Sequence, residues 1–455
     1  MVLALALAFA LVPIARAEPF PRPQTLEPQV RFWRSIFAEH SKHQIVLHDA
    51  VELDKVYRVL DFRSNVGELS DVELARLERE ETERALDDLR ATFRRLAEAG
   101  ERPEGLSADD RRVWQLFKDD PSPERFAAAA GEKRLRSQRG LRERFGDGLR
   151  TARRYFPEME RIFREEGLPA ELTRLPLIES CFDVNAYSKV GAAGIWQFMP
   201  RTGRLFAMKV GDLVDERRDP IASTRGAARY LKEMYDDLGA WPLAITGWNH
   251  GPAGVARAVG ALDTTDIGVI VRRYQGSAFG FASRNFYAEF LAALDVERHE
   301  KQYFGEQGGE PPLREREHLV DRPLGIQQAA RMAGTDTKTL ATLNPALLDP
   351  VVEGRRPIPR GYRLRLPAES ADGFATRLAE VADDGEVAPR VLAVRPSHLA
   401  VRGTRERVTT THTVASGQTL SHIAKRYRVT VASLRTANRI KGRLRPGQVL
   451  RIPRA

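Results

Sequence analysis

The stretch Leu175-Pro-Leu-Ile-Glu179-Ser180-Cys181-Phe182 sets one carboxylate among Leu177, Ile178, Cys181 and Phe182, late in a helix opened by Pro169. An apolar setting penalises the charged form and raises a carboxyl's proton affinity, which suits a general acid working near neutral pH. A Glu pointing to solvent, or paired with Arg174, would leave the same trace. Downstream, Gly194-Ile195-Trp196-Gln197-Phe198-Met199-Pro200 places an amide and a large ring just after a glycine turn. An amide can orient a sugar hydroxyl or acetamido group, and a ring can stack on a pyranose face. Asp215-Glu-Arg-Arg-Asp219-Pro220 then caps a helix, Trp248-Asn249-His250-Gly251-Pro252 ends one helix and starts another, and Asn285-Phe286-Tyr287 begins the last long one. Singly these are weak, since Trp and Tyr at helical spacing usually fill a core. Together, in this order, they suit carbohydrate chemistry. His250 has no second His at ligand spacing, so no metal is expected. No cofactor is expected either.

The elements that must hold these residues are mainly helical. Residues 18–150 read as a helical N-terminal extension, with Leu74, Leu77, Leu86, Leu89, Phe93 and Leu96 at helical spacing. Residues 151–300 continue as helices interrupted by glycine clusters. Asp219 with Pro220 opens a helix that runs to about Leu238, where Gly239 stops it. The Gly191-Ala-Ala-Gly194 run reads as a turn or a short irregular strand.

The last third carries an internal repeat, at 318–367 and 411–454. Ile326, Ala329, Ala330, Leu340 and Asn344 match Leu420, Ile423, Ala424, Leu434 and Asn438 without a gap. After a longer loop in the first copy, Gly361, Leu364, Leu366 and Pro367 match Gly447, Leu450, Ile452 and Pro453. Each copy reads strand–helix–helix–strand, a size that suits a binding module. Residues 368–410 between them read as a linker.

Composition bounds the partners. The chain has 455 residues, 72 Lys and Arg against 62 Asp and Glu, and a net charge of +10. Fibrous and globally disordered classes are excluded by ordinary hydrophobic and Gly/Pro usage. A basic balance favours an anionic partner, but Arg alternates with Glu and Asp as on solvated helix faces, and no nucleic-acid motif accompanies it. Nucleic acid is therefore not expected. Cys181 is the only cysteine, which excludes an intramolecular disulfide and a Cys-based zinc site and reads as a buried, inert thiol. The apolar run Val2–Ile14, followed by Ala15-Arg16-Ala17, reads as a signal peptide over 1–17 despite lacking a basic start. The run is too short for a stable transmembrane anchor. With no cysteine beside it, the expectation is an exported, periplasmic or wall-associated protein that is not a lipoprotein.

On Glu179-Ser180, Gly194-Ile195-Trp196-Gln197, Trp248-Asn249, Tyr287 and the Asp215–Pro220 run, the chain resembles the lytic transglycosylases of the goose-type-lysozyme-like superfamily, most closely their membrane-bound D group. The resemblance spans about Val30 to Pro453. It implies a lysozyme-like α-rich catalytic domain with small βααβ LysM-type modules. Glu179 would be the catalytic residue, with Ser180, Gln197, Trp248, Asn249 and Tyr287 on the substrate. The implied substrate is the peptidoglycan glycan strand, cleaved between N-acetylmuramic acid and N-acetylglucosamine to leave 1,6-anhydro ends. One Glu performs both proton transfers in that family, whereas most glycosidases use two carboxylates. Asp183, four residues on from Glu179, is the second carboxylate the sequence offers, and the family pattern makes it structural.

The last repeat resembles a LysM module, with Ser416, Gly417, Gln418 and Thr419 in its opening motif and Gln418 where Asp is usual. The first repeat lacks that motif and reads as degenerate. Two alternatives remain beside the leading one: a hydrolytic muramidase on the same fold, and an inactive peptidoglycan-binding scaffold. No protein partner is indicated.

Overall fold

The computed structural model describes residues 18–383 apart from 101–103, 132, 307, 309–310 and 313, and residues 410–452 apart from 415–419, 428, 430, 439 and 441–447. The expected leader at 1–17 and the opening motif Ser416–Thr419 lie outside the described residues. The described residues up to 383 belong to one compact unit and those from 410 to a second.

The N-terminal part begins with α1 (Glu27–Ala38), which buries Val30, Phe32, Trp33, Ile36 and Phe37 and lies along the helix at Phe281–Arg298. Strands β1 (Gln44–Asp49) and β2 (Val56–Asp61) follow, then α2 (Asp71–Ala99), α3 (Ala108–Gln115), α4 (Arg125–Ala129) and β3 (Leu135–Arg139). The strands form an antiparallel sheet in the order β2-β1-β3. The extension expected as helical therefore contains a sheet. β1 is buried on both faces, so its apolar run shows none of the alternation that marks a half-exposed strand. Its Val46 joins the core under α1, while Ile45 and Leu47 join a separate core with Tyr57, Phe93 and Phe117. α2 starts on a capping box between Ser70 and Glu73.

The central lobe is mainly helical, with isolated β-bridges Tyr187–Ala193 and Ala193–Phe198 in the glycine-rich loop: α5 (Arg142–Glu165), α6 (Leu175–Ser180), α7 (Pro200–Leu205), α8 (Pro220–Leu238), α9 (Trp241–His250), α10 (Pro252–Leu262), α11 (Ile267–Arg273), α12 (Phe281–Arg298) and α13 (Glu300–Phe304). Phe145, Leu149, Ala152, Phe156, Met159 and Phe163 make one buried stripe along α5 at alternating steps of four and three. The expected boundary at 150 falls inside this helix. α8 starts where the sequence places it: the Asp219 carboxylate accepts from the Ile221 and Ala222 amides at 2.9 and 2.8 Å, and Gly239 closes the helix at φ 73°.

The first repeat consists of β4 (Glu315–Leu319), α14 (Ile326–Met332), α15 (Thr337–Leu343), α16 (Asp349–Val352) and β5 (Arg363–Pro367), with β4 and β5 antiparallel. α17 (Ala368–Asp383) follows at once and buries Phe374 and Leu378 in the repeat's own core. The start of the expected linker is thus a packed helix, because those two side chains, one turn apart, complete an apolar face. Residues 384–409 lie outside the described residues.

This repeat is seated on the central lobe. The Asp215 amide bonds the Ala346 carbonyl at 2.8 Å and the Leu348 amide bonds Leu213 at 3.0 Å, while Val214 enters the repeat's core. Arg365, buried on β5, pairs with the Asp219 carboxylate that caps α8. The second repeat has β6 (Thr410–Thr413), α18 (Leu420–Tyr427), α19 (Val431–Asn438) and β7 (Val449–Ile452), with β6 and β7 antiparallel around Ile423, Leu434 and Leu450. Asn344 and Asn438 do the same work in the two copies. Each donates from its amide to the strand carbonyl at 365 or 451 and accepts the amide of that same residue.

Candidate active site

Two short turns carry Glu179. A 3-10 turn at Ala170–Arg174 leads into the six-residue α6, and the chain reverses at once because Cys181 and Phe182 take left-handed conformations, φ 51° and 54°. The reversal lies hard against α5: a Cβ on Gly148 would fall 2.3 Å from the Cys181 carbonyl oxygen, so only glycine fits. Burial pushes the Glu179 carboxyl up to about 7, and a hydrogen bond from the Trp248 side chain works in the opposite direction. The alternative pairing with Arg174 does not occur. That guanidinium grips Glu297 at 2.8–3.0 Å and Glu160 at 2.5 Å.

The residue after Glu179 is scaffold. The Ser180 hydroxyl is buried and reaches the Ile195 carbonyl at 3.0 Å and that of Pro176 at 3.3 Å, so it ties α6 to the following loop and does not face a substrate as expected. In that loop Gly194 sits at φ 72°, where a Cβ would lie 1.9 Å from the Arg217 carbonyl oxygen. Arg217 holds the other side, donating to Gly191 and Phe198 carbonyls at 2.6 and 2.8 Å and to Asp215. Gln197 takes φ 48° and donates its amide to the Gly194 carbonyl at 2.9 Å. The two tryptophans separate. Trp196 is fully buried, stacked on Phe163, and donates to Thr224 at 2.9 Å, so it is core. Trp248 is half-buried against Trp196, Phe198 and Tyr230, with its polar edge on Glu179.

Asn249 is exposed at the end of α9 and accepts from the Ser283 hydroxyl at 3.0 Å, which also meets His250 Nδ1 at 3.2 Å. Ser283 was not singled out from sequence; it is the bridge that fixes the end of α9 to the start of α12. Tyr287 differs from expectation. It is 1% exposed, and its hydroxyl donates to the Pro21 carbonyl at 2.7 Å because residues 20–26 pack over α12, with Phe20 against Phe290. Asp183 is exposed and accepts the Asn185 amide at 2.9 Å, an Asx turn. The carboxyl that does feel Glu179 is Glu289, on α12. An acidic residue inside the apolar stretch Phe286–Ala293 was the only trace it left in the sequence.

Comparison with known proteins gives three matches along the chain. Residues 159–269 match the transglycosylase SLT domain, 316–383 the LysM-like domain of lytic transglycosylase MltD, and 412–453 the LysM domain. The chain is 30% identical over 306 residues to membrane-bound lytic murein transglycosylase D of Escherichia coli strain K12, covering 64% of this chain and 61% of that protein. It thus spans about three fifths of the length of that relative. A 96-residue segment is 38% identical to a putative tributyltin chloride resistance protein of an Alteromonas species, over 21% of this chain and 46% of that one. The solved lytic transglycosylase Slt of Pseudomonas aeruginosa aligns at 20% identity and a TM-score of 0.28, covering 50% of this chain and 38% of that structure. By these matches, the chain carries a transglycosylase SLT domain, then a segment similar to the LysM-like domain of lytic transglycosylase MltD, then a LysM domain, in that order along the sequence.

Proposed function

We propose that the chain is a lytic transglycosylase of the cell envelope that cleaves peptidoglycan glycan strands between N-acetylmuramic acid and N-acetylglucosamine. The observation that carries this reading is Glu179, a carboxyl that burial pushes up to about 7, so that it can both give and take a proton near neutral pH, inside the segment that matches the SLT domain. Glu179 protonates the glycosidic oxygen as the bond to C1 breaks. The resulting carboxylate then accepts the proton of the C6 hydroxyl on the same muramyl residue, and that oxygen bonds C1 to close a 1,6-anhydro ring. The carboxyl returns to its starting state and no water is added. Trp248 orients Glu179, while Gln197 and Asn249 offer amides to sugar hydroxyl and acetamido groups. The LysM domain at 412–453 raises the local concentration of glycan by tethering.

Mass spectrometry of purified sacculi digested with the native protein and with Glu179→Gln tests this. Anhydro-muramyl ends that vanish in the variant are expected. Reducing ends would make the protein a hydrolytic muramidase, and sacculus binding without any release would make it a scaffold.

A further inference from the structure

The face of α12 turned towards α6 is defined by contacts at its far end. Arg174, immediately ahead of α6, clamps Glu297 on α12. Residues 285, 289, 293 and 297 share one ridge of α12, since steps of four stay on one helix face. Asn285 and Ala293 on this ridge are buried and Glu297 holds Arg174, so the ridge is the packed one. α6, which follows Arg174 and carries Glu179, packs against α12, and Glu289 stands on the same ridge two turns before Glu297.

Several charged and titratable groups on the surrounding elements are engaged elsewhere, while the buried Nε of Arg34 on α1 has no partner among the described residues. Arg174 also holds Glu160 of α5, and Arg22 holds Asp295 and Glu27. Arg284 donates to the Val271 and Tyr274 carbonyls, and His250 of α9 meets Ser283. Arg144 of α5 acts on the Cys181 thiol. Burial and the Glu179 charge together push Glu289 up to about 8.

We propose that Glu289 is a positioning carboxyl of the reaction centre, paired with Glu179 so that ionisation of either one fastens the remaining proton to the other. This rests on the reading of Glu179 as the acid and base. Two carboxyls in one poorly solvated site lose their protons in two macroscopic steps that belong to the pair. At neutral pH Glu289 stays neutral, so the site holds at most one negative charge when Glu179 gives up its proton. Above neutral pH, an ionised Glu289 keeps part of the Glu179 population in its acid form. Glu289 lies outside the segment 159–269 that matches the SLT domain.

The first test is kcat/KM of the native protein and of Glu289→Gln on soluble glycan strands across pH 5 to 9. The variant is expected to lose its activity in a single ionisation, with its rate near pH 8 relative to pH 6 about twofold or more below the native ratio. Glu289→Asp should restore a two-step decline. A proportional loss at every pH, or an unchanged profile, overturns the proposal.

The second test needs no catalysis: infrared titration of protonated carboxyls in native protein and in Glu179→Gln. Removing the Glu179 charge should move the remaining ionisation to lower pH, and an unmoved ionisation overturns the proposal even if Glu289→Gln does not fold. If Glu179→Gln still releases product, the reading of Glu179 itself has failed, and the infrared result stands apart from that.

Discussion

The proton affinity of Glu179 is set by what surrounds it, and its neighbours can be changed one at a time. Trp248 stabilises the carboxylate form through its side-chain hydrogen bond. Trp248→Phe should therefore raise the proton affinity of Glu179 and move the alkaline limb of the activity profile to higher pH, by less than about one unit. The same carboxyls leave a mark on stability. Glu179 and Glu289 have folded-state values of about 7 and about 8, above the ordinary carboxyl range reached on unfolding. From about pH 4.5 upward the unfolded chain has released protons that the folded one retains, so stability falls as pH rises, until both groups have ionised above about pH 8. The slope is at most about 1.4 kcal/mol per pH unit for each group. Urea unfolding at pH 5, 6, 7 and 8 should show this decline, and it should be shallower in Glu179→Gln. The sequence makes Glu179 legible because an acid amid apolar neighbours is unusual over so short a stretch. It hides Glu289, whose relation to Glu179 exists only once α12 lies on α6. Ser180 and Tyr287 mislead for the same reason. Their residue types suit a substrate, and only the fold shows that Ile195 and Pro21 occupy their hydroxyls.

At the scale of elements, the residue that starts α8 also seats the first repeat. Asp219 caps the helix through two amides and meets Arg365 with both side chains nearly buried. Removing one member of a buried ion pair strands the other, at a cost of about 3–5 kcal/mol. Arg365→Met should lower the unfolding free energy by that order, measured by chemical denaturation, and Asp219→Asn should cost less than Asp219→Ala because it keeps an amide-accepting cap. The start and stop of α8 were readable from Asp219, Pro220 and Gly239, since capping is local chemistry. The β2-β1-β3 sheet was not, because pairing of β1 with β3 joins residues about ninety positions apart in the chain. Arg365 shows the limit from another side. It stands in register with Arg451, which is exposed in the second copy, so the repeat pattern gave no sign that the first copy's arginine is buried.

For the whole molecule, the two repeats predict different consequences of truncation. Ending the chain at 383 removes the LysM domain and leaves the first compact unit's described elements intact. Turnover of short soluble glycans should change by less than about twofold, while retention on sacculi in a pull-down falls. Ending it near 314 removes a partner whose core includes Val214 and strands Asp219. That truncation should lower the melting temperature of the central lobe and weaken its solubility. The repeat itself was legible from matched apolar positions and Asn344 with Asn438. Its docking was not, since the Leu213–Asp215 strip that receives Ala346 and Leu348 carries no periodic signal.

The packing of residues 20–38 over α12 also dictates an order of events. The first part of this lobe to leave the ribosome must wait for roughly 250 further residues before Phe20 and Trp33 meet Phe290 and Phe281 on the helix that covers them. Such distant pairings slow folding, because the intervening chain has to be closed before the contact rewards it. His48 of β1 and Phe145 of α5 reach Phe32 and Phe37 earlier, but until α12 is synthesised the face around Phe20 and Trp33 stays uncovered, which makes the emerging chain a natural client for holding chaperones.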